Sequence, residues 1–385
     1  MLTSLGLANL KCFDALHLNL GRLTLLTGFN AAGKSSSYQP LLLLTQGMRS
    51  APRLGFLSLN GPLVRLGTAG ELLSTSGTDR VGIEINTAEA RSKWIFVPAE
   101  RSGGSALALE EGTIDVNGEP PIQWAGSLVP GIPASEKHDQ FFASIRQVVY
   151  LGAVRLGAAE AFPTPEDAGI SHADVGSRGE YAPWWYAQYV DEEIEEARRH
   201  RDEPGLTLRR QLDRFLSDLF PGGQANAELI ARTSLVRLGL RNDLGSDWRR
   251  PINTGYGITY AFPVLVALLL AKPGQLIIID SPEAHLHPRG QSLIGQLLAH
   301  FAAAGVQIMV ETHSEHVLNG IRIAVRNRVI SAYDVALYFF NFPKDSKTEQ
   351  RVSNLRVDDA GNIHFWPAGF FDQSEHDLSK LAGWE

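Results

Sequence analysis

The segment Leu23–Ser35 reads LTLLTGFNAAGKS, a short apolar run that leads into a glycine-rich loop. Within it, Gly28–Ser35 matches the pattern G-x-x-x-x-G-K-S/T, which binds phosphate when it follows a strand and opens a helix. The glycines let main-chain N–H groups surround a phosphate, Lys34 neutralises phosphate oxygens, and the Ser35 hydroxyl binds Mg²⁺. We therefore expect a nucleotide to contact the loop residues Asn30, Gly33, Lys34, Ser35 and Ser36.

Composition bounds the class of protein. The chain has 385 residues, of which 44% are hydrophobic and 20% charged, so a disordered chain or a coiled-coil rod is excluded. The longest helix-like apolar run, residues 261–271, is shorter than the ~20 residues of a membrane span, so no membrane contact is expected. A single cysteine and the lack of a secretory signal predict a cytoplasmic protein. The net charge of −7 argues against a general nucleic-acid coat.

An acidic half-site is predicted at the end of a buried strand. Residues 276–280 read LIIID, which places Asp280 where a phosphate loop needs a carboxylate for Mg²⁺. Glu283 follows three residues later and is a candidate for polarising the attacking water. The alternative for Asp280 is a cap of the next helix. His285 and His287 lack the spacing of a zinc site, so metal ligation by them is not predicted.

Two further motifs stand at a strand end and at a helix start. His313 follows the predicted strand 306–311, where a ring N–H would reach a terminal phosphate; the alternative is a histidine that merely begins a helix. Residues 253–259 read NTGYGIT before a predicted helix. Gly255, Gly257 and the Thr259 hydroxyl therefore form a candidate anion-binding cup, with a plain glycine turn as the alternative.

Strand and helix patterns alternate along the chain and predict an α/β fold with a partly parallel core sheet. Residues 55–125 are predicted to form an antiparallel β-layer, and further strands are predicted over 3–11, 16–27, 147–151, 275–280, 306–311, 333–342 and 349–366. Helices are predicted over 36–48, 184–220, 257–271, 291–304 and 315–328, with a kink or late start at Pro40 in the first. Residues 126–140 and 157–182 are predicted loops.

The order of the motifs resembles that of ABC-type ATPase heads, including those of SMC proteins. In that class residues 253–259 correspond to the signature motif and His313 to the switch histidine. Gln39 or Gln46, on the helix after the phosphate loop, corresponds to the Q-loop glutamine, and the sequence does not choose between them. The resemblance thus implies catalytic roles for Asp280, Glu283 and His313, and Mg²⁺ ligands among Ser35, Asp280, Gln39 and Gln46.

A closer resemblance covers essentially the whole chain. Residues 282–288 (PEAHLHP), 311–316 (ETHSEH) and 366–373 (WPAGFFDQ) resemble blocks of bacterial predicted ATPases. These are related to the heads of overcoming-lysogenization-defect proteins and end in a domain of unknown function. The chain departs from many ABC heads at Ser281, where they carry a glutamate as catalytic base. Because serine cannot act as that base, either Glu283 takes the role or the protein mainly senses ATP.

The resemblance implies an ABC-type P-loop NTPase head with an antiparallel β-subdomain and a mixed core sheet flanked by helices. It also implies a short helical insertion and no long coiled coil. The predicted head spans residues 1–330, and a small β-rich extension covers 331–385. Within the head, the P-loop lobe covers 1–150, the insertion about 157–225, and the lobe with the signature and His313 covers 226–330.

One phosphate loop and one signature per chain imply a homodimer with two composite ATP sites. Together with Mg²⁺, ATP would hold the dimer closed and hydrolysis would release it. The resemblance therefore implies a switch for a neighbouring effector, such as a nuclease, in anti-phage defence or DNA maintenance. The acidic residues after position 333 form no nuclease metal cluster that the sequence supports: Asp334, Asp345, Asp358, Asp359, Asp372 and Asp377.

Other functions are weighed against this one. The chain would load on DNA directly if the arginines of 198–214, with Arg249 and Arg250, lined one groove, but the acidic net charge favours a solvated helix face with Glu/Arg pairs. It would be a scaffold if it bound nucleotide with little turnover. The altered signature disfavours a transporter subunit. Arg155 and Arg178 would reach a phosphate across a dimer, or they stabilise loops.

Overall fold

A computed structural model describes residues 1–74, 78–99, 103–131, 135–166, 170–243, 245–342, 351–367, 369–371 and 373–383. The strands are β1 (Leu2–Leu10), β2 (Phe13–Asn19), β3 (Leu23–Gly28), β4 (Phe56–Ser58), β5 (Val81–Thr87), β6 (Ala90–Pro98), β7 (Ala106–Val116), β8 (Ile122–Trp124), β9 (Val149–Leu151), β10 (Phe162–Pro163), β11 (Gln224–Leu229), β12 (Leu235–Arg241), β13 (Leu276–Asp280), β14 (Gln307–Glu311), β15 (Val335–Phe340) and β16 (Val352–Leu355). The helices are α1 (Lys34–Ser50), α2 (Ala69–Leu72), α3 (Glu136–Arg146), α4 (Ala182–Tyr189), α5 (Leu208–Leu219), α6 (Tyr256–Leu270), α7 (Pro288–Ala303), α8 (Glu315–Arg326) and α9 (Gln373–Leu381).

The core sheet has the order β16-β15-β3-β14-β13-β9. All neighbouring pairs in it are parallel except β15 with β16, so the predicted mixed core sheet is confirmed. Successive residues of a strand face opposite sides, and both sides are covered here. On β13, Ile277 and Ile279 pack toward α4 to α8, while Ile278 packs toward α1 and the β-layer. The sheet is therefore a rigid platform whose loops at one edge build the site.

The predicted antiparallel β-layer is confirmed. It is a seven-stranded sheet of order β2-β1-β5-β6-β7-β4, in which β8 also pairs with β7. A separate three-stranded sheet, β10-β12-β11, lies in the region of α4 and α5. The longest helix in the described part of the chain, α1, has 17 residues, so no long coiled coil occurs there. No described helix combines the length and apolar character needed to cross a membrane.

The predicted single strand over residues 16–27 is wrong. The segment divides into β2, in the β-layer, and β3, in the core sheet. The break falls at Gly21, where a Cβ would lie only 2.4 Å from the carbonyl oxygen of Asp334. Because only glycine permits this close approach, the chain turns there and passes from one sheet to the other.

The charged run 191–200 was predicted to be helical, and this is also wrong. Only a short 3₁₀ turn, Glu196–Arg198, forms between α4 and α5. Arg198 is 8% exposed and donates hydrogen bonds to the carbonyls of Leu269 and Ala271 at the end of α6. These tertiary bonds satisfy carbonyls that the helix end leaves free, and they override the favourable charge pattern.

Three smaller differences concern helix starts and loops. Helix α1 begins at Lys34 and continues through Pro40, so of the predicted kink or late start the late start is wrong. Helix α3 begins at Glu136, inside the predicted loop 126–140. Strand β10 lies inside the predicted loop 157–182 and is recruited by pairing with β12.

Two predicted domain boundaries fall inside or beside sheets. The boundary at 225/226 lies within β11. Residues 331–385 include β15, which follows a 3₁₀ turn at Ala332–Asp334 and pairs with β3 over six residue pairs, Val335 to Phe340 against Leu23 to Gly28. The C-terminal segment is therefore hydrogen-bonded to the strand that carries the phosphate loop. Of the acidic residues named there, Asp345 and Asp372 lie outside the described residues.

Candidate active site

Three neighbouring strands end at the same edge of the core sheet. Strand β3 runs into the phosphate loop, β14 ends at Glu311 and β13 ends at Asp280. Asp280 and Glu311 are register partners, and Glu311 in turn pairs with Leu26 of β3. Since parallel strands place their carboxyl ends together, two carboxylates and the phosphate loop converge where ligands bind in α/β folds.

The phosphate loop has a backbone that only glycine allows. Gly28 and Gly33 have φ of +133° and +108°, and a Cβ at Gly28 would lie 2.1 Å from the carbonyl oxygen of Phe340. Lys34 is 3% exposed, and its Nζ donates to the carbonyls of Phe29 at 2.8 Å and Gly28 at 3.2 Å. The lysine therefore lies across the loop with its charge directed into the predicted phosphate site. Asn30 is exposed, and Ser36 is half-buried in the first turn of α1.

Glu311, which the sequence interpretation did not select as a site residue, lies among the candidate site residues. Its Oε2 accepts hydrogen bonds from the Ser35 hydroxyl and the Tyr38 hydroxyl, both at 2.8 Å, and its Oε1 lies 4.0 Å from Lys34 Nζ. Burial, and then the charge of Asp280, raises the pKa of Glu311. A glutamate that ends the buried strand QIMVE, in register with LIIID, was the available signal.

Asp280 is an acidic strand end and not a helix cap. The next helix, α7, begins at Pro288, and its N-cap is His287, whose ring accepts the main-chain N–H of Arg289. Oδ1 of Asp280 accepts the Ser281 hydroxyl at 2.8 Å. Burial raises the pKa of Asp280, and Arg155, His313 and Lys34 counteract this effect by their charges. The carboxylate thus faces the cationic side of the phosphate loop.

Glu283 and His313 are brought together by the loops that follow β13 and β14. Oε1 of Glu283 accepts the main-chain N–H of His313 at 3.2 Å. Its Oε2 is buried, and the side chain of Thr312 interacts with the carboxylate. Burial, and then the charge of Lys34, lowers the pKa of His313. The helix after His313 is capped by the Ser314 side chain, so His313 is free for another role.

The protonation of Glu283 gives a pH prediction. Burial raises its pKa above the usual range, and a base acts only when it is ionised. The turnover rate should therefore fall as the pH drops through this raised pKa, at a higher pH than the ~4.3 of an exposed glutamate. A rate–pH profile of the wild type checks this, with circular dichroism confirming the fold at each pH. A rate that stays constant down to the range of an exposed glutamate would contradict it.

Arg155 is a buried link and not a surface arginine. It is 3% exposed and donates to the carbonyls of Asp280 at 2.8 Å and Ser281 at 3.2 Å. It also reaches the carbonyl of Tyr260 on α6 at 3.5 Å. Burial lowers its pKa to about 10. Arg155 therefore connects the end of β13 to the helix that follows the glycine-rich motif, whereas Arg178 is exposed.

The glycine-rich motif starts α6, and its two glycines differ. A Cβ at Gly257 would lie 2.9 Å from the carbonyl oxygen of His285, so packing explains this glycine. A Cβ at Gly255, the N-cap, would meet no atom within 4 Å. Thr259 is 5% exposed and donates its hydroxyl to the carbonyl of Tyr256 at 2.9 Å. Among the described residues, no hydrogen bond joins residues 253–259 to residues 28–36.

The two candidate glutamines occupy different positions along α1. Gln39 lies one turn after Ser35, and its Oε1 accepts the ammonium group of Lys11 at 2.6 Å. Gln46 lies about 16 Å from Ser35 at 1.5 Å per residue. Its side-chain amide donates to the carbonyl of Ser58, at the end of β4, and accepts the main-chain N–H groups of Leu63 and Val64. This placement argues against Gln46 as a ligand of a metal held by Ser35 and leaves Gln39 as the candidate.

The oxygen donors at this edge fit Mg²⁺. A hydroxyl from Ser35 and a carboxylate from Asp280 are the hard oxygen ligands that this cation prefers, and Glu311 accepts the Ser35 hydroxyl beside them. His285 packs against the rings of Tyr256 and Tyr260, with centroids at 5.3 Å and 4.6 Å. Within the described ranges, no group of three or more His, Cys, Asp or Glu side chains forms another metal site.

Residues 369–371, which we call the C-terminal aromatic block, lie against the phosphate loop. Phe29 packs on Phe339, and a Cβ at Gly369 would lie 2.3 Å from Phe29 Cζ. A cavity of about 240 Å³ between them is also lined by His313. The segment that follows the core sheet therefore sets the position of Phe29, whose carbonyl holds Lys34.

Replacing Gly369 by alanine is expected to weaken ATP binding several-fold. The new methyl group would displace Phe29, and overpacking of this kind costs about 1–3 kcal/mol. Gly118→Ala is the matched control, because its φ of +84° is close to the +81° of Gly369 and its Cβ would meet no atom within 4 Å. Titration with a fluorescent ATP analogue compares the two. Equal affinities in both variants would show that the contact with Phe29 does not matter.

Residues 109–319 match a protein family described as AAA domain, putative AbiEii toxin, Type IV TA system. The chain belongs to this family. The match includes Asp280, Glu283 and His313, and the phosphate loop precedes it. Residues 330–381 of this ATPase match a family of unknown function, DUF3696. Among the curated proteins, none matches the chain.

Solved structures show the same fold. An SMC head bound to the C-winged helix domain of ScpA is 14% identical, with a TM-score of 0.50 over 93% of this chain and 98% of that one. The Smc head with an extended coiled coil bound to the C-terminal domain of ScpA, from Pyrococcus furiosus, is 13% identical, with a TM-score of 0.51 over 99% of each chain. The expected ABC/SMC-type ATPase head with a C-terminal domain of unknown function is therefore confirmed.

Proposed function

We propose that this ATPase closes into a homodimer around two ATP molecules and uses the closed state as a switch for a partner protein. The observation that carries the proposal is the open space beside Gly255. This glycine begins a 15-residue helix whose N-terminal N–H groups suit an anion, and nothing in the described part of its own chain fills the space beside it. A second chain whose bound phosphate approaches Gly255 would complete this half-site.

The residues of one chain divide the chemistry between them. Lys34 and the loop N–H groups bind the phosphates, with Asn30, Gly33 and Ser36 beside them. Ser35 and Asp280, with Gln39 near them, would hold Mg²⁺, which supplies charge neutralisation for phosphoryl transfer. Glu283 is the proposed base, since its carboxylate lies beside His313 at the ends of β13 and β14 and burial raises its pKa toward that of an effective base. His313 would donate a ring N–H to the terminal phosphate. Gly255, Gly257 and Thr259 belong to the segment that would contact the ATP bound by the second chain.

A mixing experiment tests the composite site. Lys34→Ala disables the phosphate loop, and Gly255→Glu places a negative charge at the signature without a clash in its own chain. Each variant alone should be inactive. In a mixture, half of the dimers are mixed and each has one intact site, so about a quarter of the wild-type rate should return. No recovery on mixing, although each variant is folded, would exclude composite sites.

The charged surface favours a protein partner over direct loading on DNA. Arg198 is buried, Arg210 pairs with Glu203 at 3.1 Å, and Arg214 pairs with Asp218 at 2.9 Å. Arg250 lies 3.7 Å from Glu160. Most arginines of the suggested groove are thus neutralised within the chain. The salt dependence of any DNA binding tests this point, because several phosphate contacts would give a steep slope.

The partner is proposed by analogy. The SMC heads in the similar structures are bound to domains of ScpA, and we propose that this head likewise controls a bound protein, a neighbouring effector such as a nuclease. The family description mentions a toxin and a toxin–antitoxin system, which supports a role in anti-phage defence. DNA maintenance is the second setting. A cytoplasmic location fits both of these roles.

A further inference from the structure

We propose that Glu311 positions the Ser35 hydroxyl for Mg²⁺ and is required for the metal to strengthen ATP binding. The proposal rests on the Mg²⁺-dependent ATP binding proposed above. Glu311 is the last residue of β14, after Gln307 and three apolar residues. Glu311 is a positioning residue, because it acts through the hydroxyl of Ser35.

The contacts of Glu311 fix the direction of the Ser35 hydroxyl. Ser35 donates its proton to Oε2 of Glu311 at 2.8 Å, so the lone pairs of its oxygen point away from that carboxylate. Tyr38, 1% exposed, donates to the same oxygen at 2.8 Å and holds the carboxylate in place. A serine hydroxyl that gives its proton to a buried acceptor keeps its lone pairs for a cation. Outer hydrogen bonds of this kind orient metal ligands in other proteins.

The position of Glu311 also concentrates negative charge at the metal site. It is 6% exposed and directly opposite Asp280 on the neighbouring parallel strand. Adjacent strands lie about 4.8 Å apart, so the two carboxylates leave the sheet side by side. A merely structural acceptor for Ser35 and Tyr38 would not need a second charge beside Asp280. The Nζ of Lys34 lies 4.0 Å from Glu311. A divalent cation together with this ammonium group would balance the negative charges of Glu311 and Asp280.

The test compares ATP binding with and without metal. The affinity for a fluorescent ATP analogue is measured in EDTA and again with saturating Mg²⁺, and the ratio gives the enhancement due to metal. In Glu311→Gln we expect the metal-free affinity to be unchanged or slightly higher and the enhancement to fall about 10–100-fold. Glu89→Gln, the same chemical change on an exposed turn, should keep both values.

A double variant separates action through Ser35 from an independent effect. If Glu311 acts through this hydroxyl, Ser35→Ala with Glu311→Gln should lose no more enhancement than Ser35→Ala alone. Additive losses would overturn the proposal, as would a wild-type enhancement in Glu311→Gln. If Glu311→Gln fails to fold, Glu311→Asp is measured in its place. Aspartate keeps the charge but moves it one methylene group away from Ser35, and a wild-type enhancement in this variant would likewise overturn the proposal. A wild type that binds no ATP would refute the proposed function itself, and this inference with it.

Discussion

Replacement of Glu283 by glutamine is expected to lower the ATP turnover rate by about 10²–10⁴-fold, the usual contribution of a general base, and to leave ATP binding intact. The amide is isosteric, and its oxygen can still accept the main-chain N–H of His313 that Glu283 Oε1 accepts now. It cannot accept a proton from water. The ATP-bound closed dimer should then accumulate. In the presence of ATP, the variant should therefore still sediment as a dimer long after the wild type has returned to monomers.

The Glu283 experiment bears on the residue at position 281. Ser281 donates its hydroxyl to Asp280 at 2.8 Å, so it orients the carboxylate that is proposed to hold Mg²⁺ and is not itself a base. Glu89→Gln again provides a control for the loss of one carboxylate. If Glu283→Gln turned over ATP at the wild-type rate, Glu283 would be a structural residue that holds the His313 loop, and another group would have to activate the water.

Replacement of Lys34 by alanine is expected to weaken ATP binding about 10–100-fold, because a hydrogen bond to a charged group is worth about 1.5–3 kcal/mol. The variant should also remain monomeric at ATP concentrations that dimerise the wild type. Its fold should persist, since the carbonyls of Gly28 and Phe29 lose only a donor at the edge of the sheet. Equilibrium binding and sedimentation in the presence of ATP measure both effects.

Lys93→Ala is the control for Lys34→Ala. Lys93 is exposed on β6 of the antiparallel layer, so its loss changes the net charge equally and leaves the site untouched. ATP affinity within about two-fold of the wild type is expected, as for most exposed substitutions, which change free energies by less than about 0.5 kcal/mol. Wild-type ATP affinity in Lys34→Ala would mean that the loop does not bind the phosphates as proposed.

Local patterns predicted those parts of the molecule that local forces fix. The apolar runs at 276–280 and 306–310 form β13 and β14, as expected for strands buried on both faces. The segment 208–220 repeats apolar residues at helical spacing and forms α5. The phosphate loop could be recognised because its two glycines, lysine and serine are required at fixed positions along the chain, independently of what surrounds them.

Long-range contacts decided what the patterns missed. The run 191–200 has charges suited to a helix, yet the bonds from Arg198 to the end of α6 hold it in a turn. The stretch 16–27 contains no proline and is rich in leucine, yet it is divided between two sheets at Gly21, where Asp334 approaches closely. The residues around Arg155 in sequence do not predict its contacts, because its hydrogen-bond partners lie more than a hundred residues away along the chain.

A phosphate loop, an acidic strand end and a resemblance to ATPases could all be read from the chain, since they depend on residue types at short, fixed spacing. Which side chains lie together at the candidate site followed from the folded structure alone. The order of parallel strands put Glu311 beside Asp280 and under Ser35, and it brought the C-terminal aromatic block onto Phe29. The physical reason is that strand order and register are set by packing of the whole sheet, which no local stretch of residues encodes.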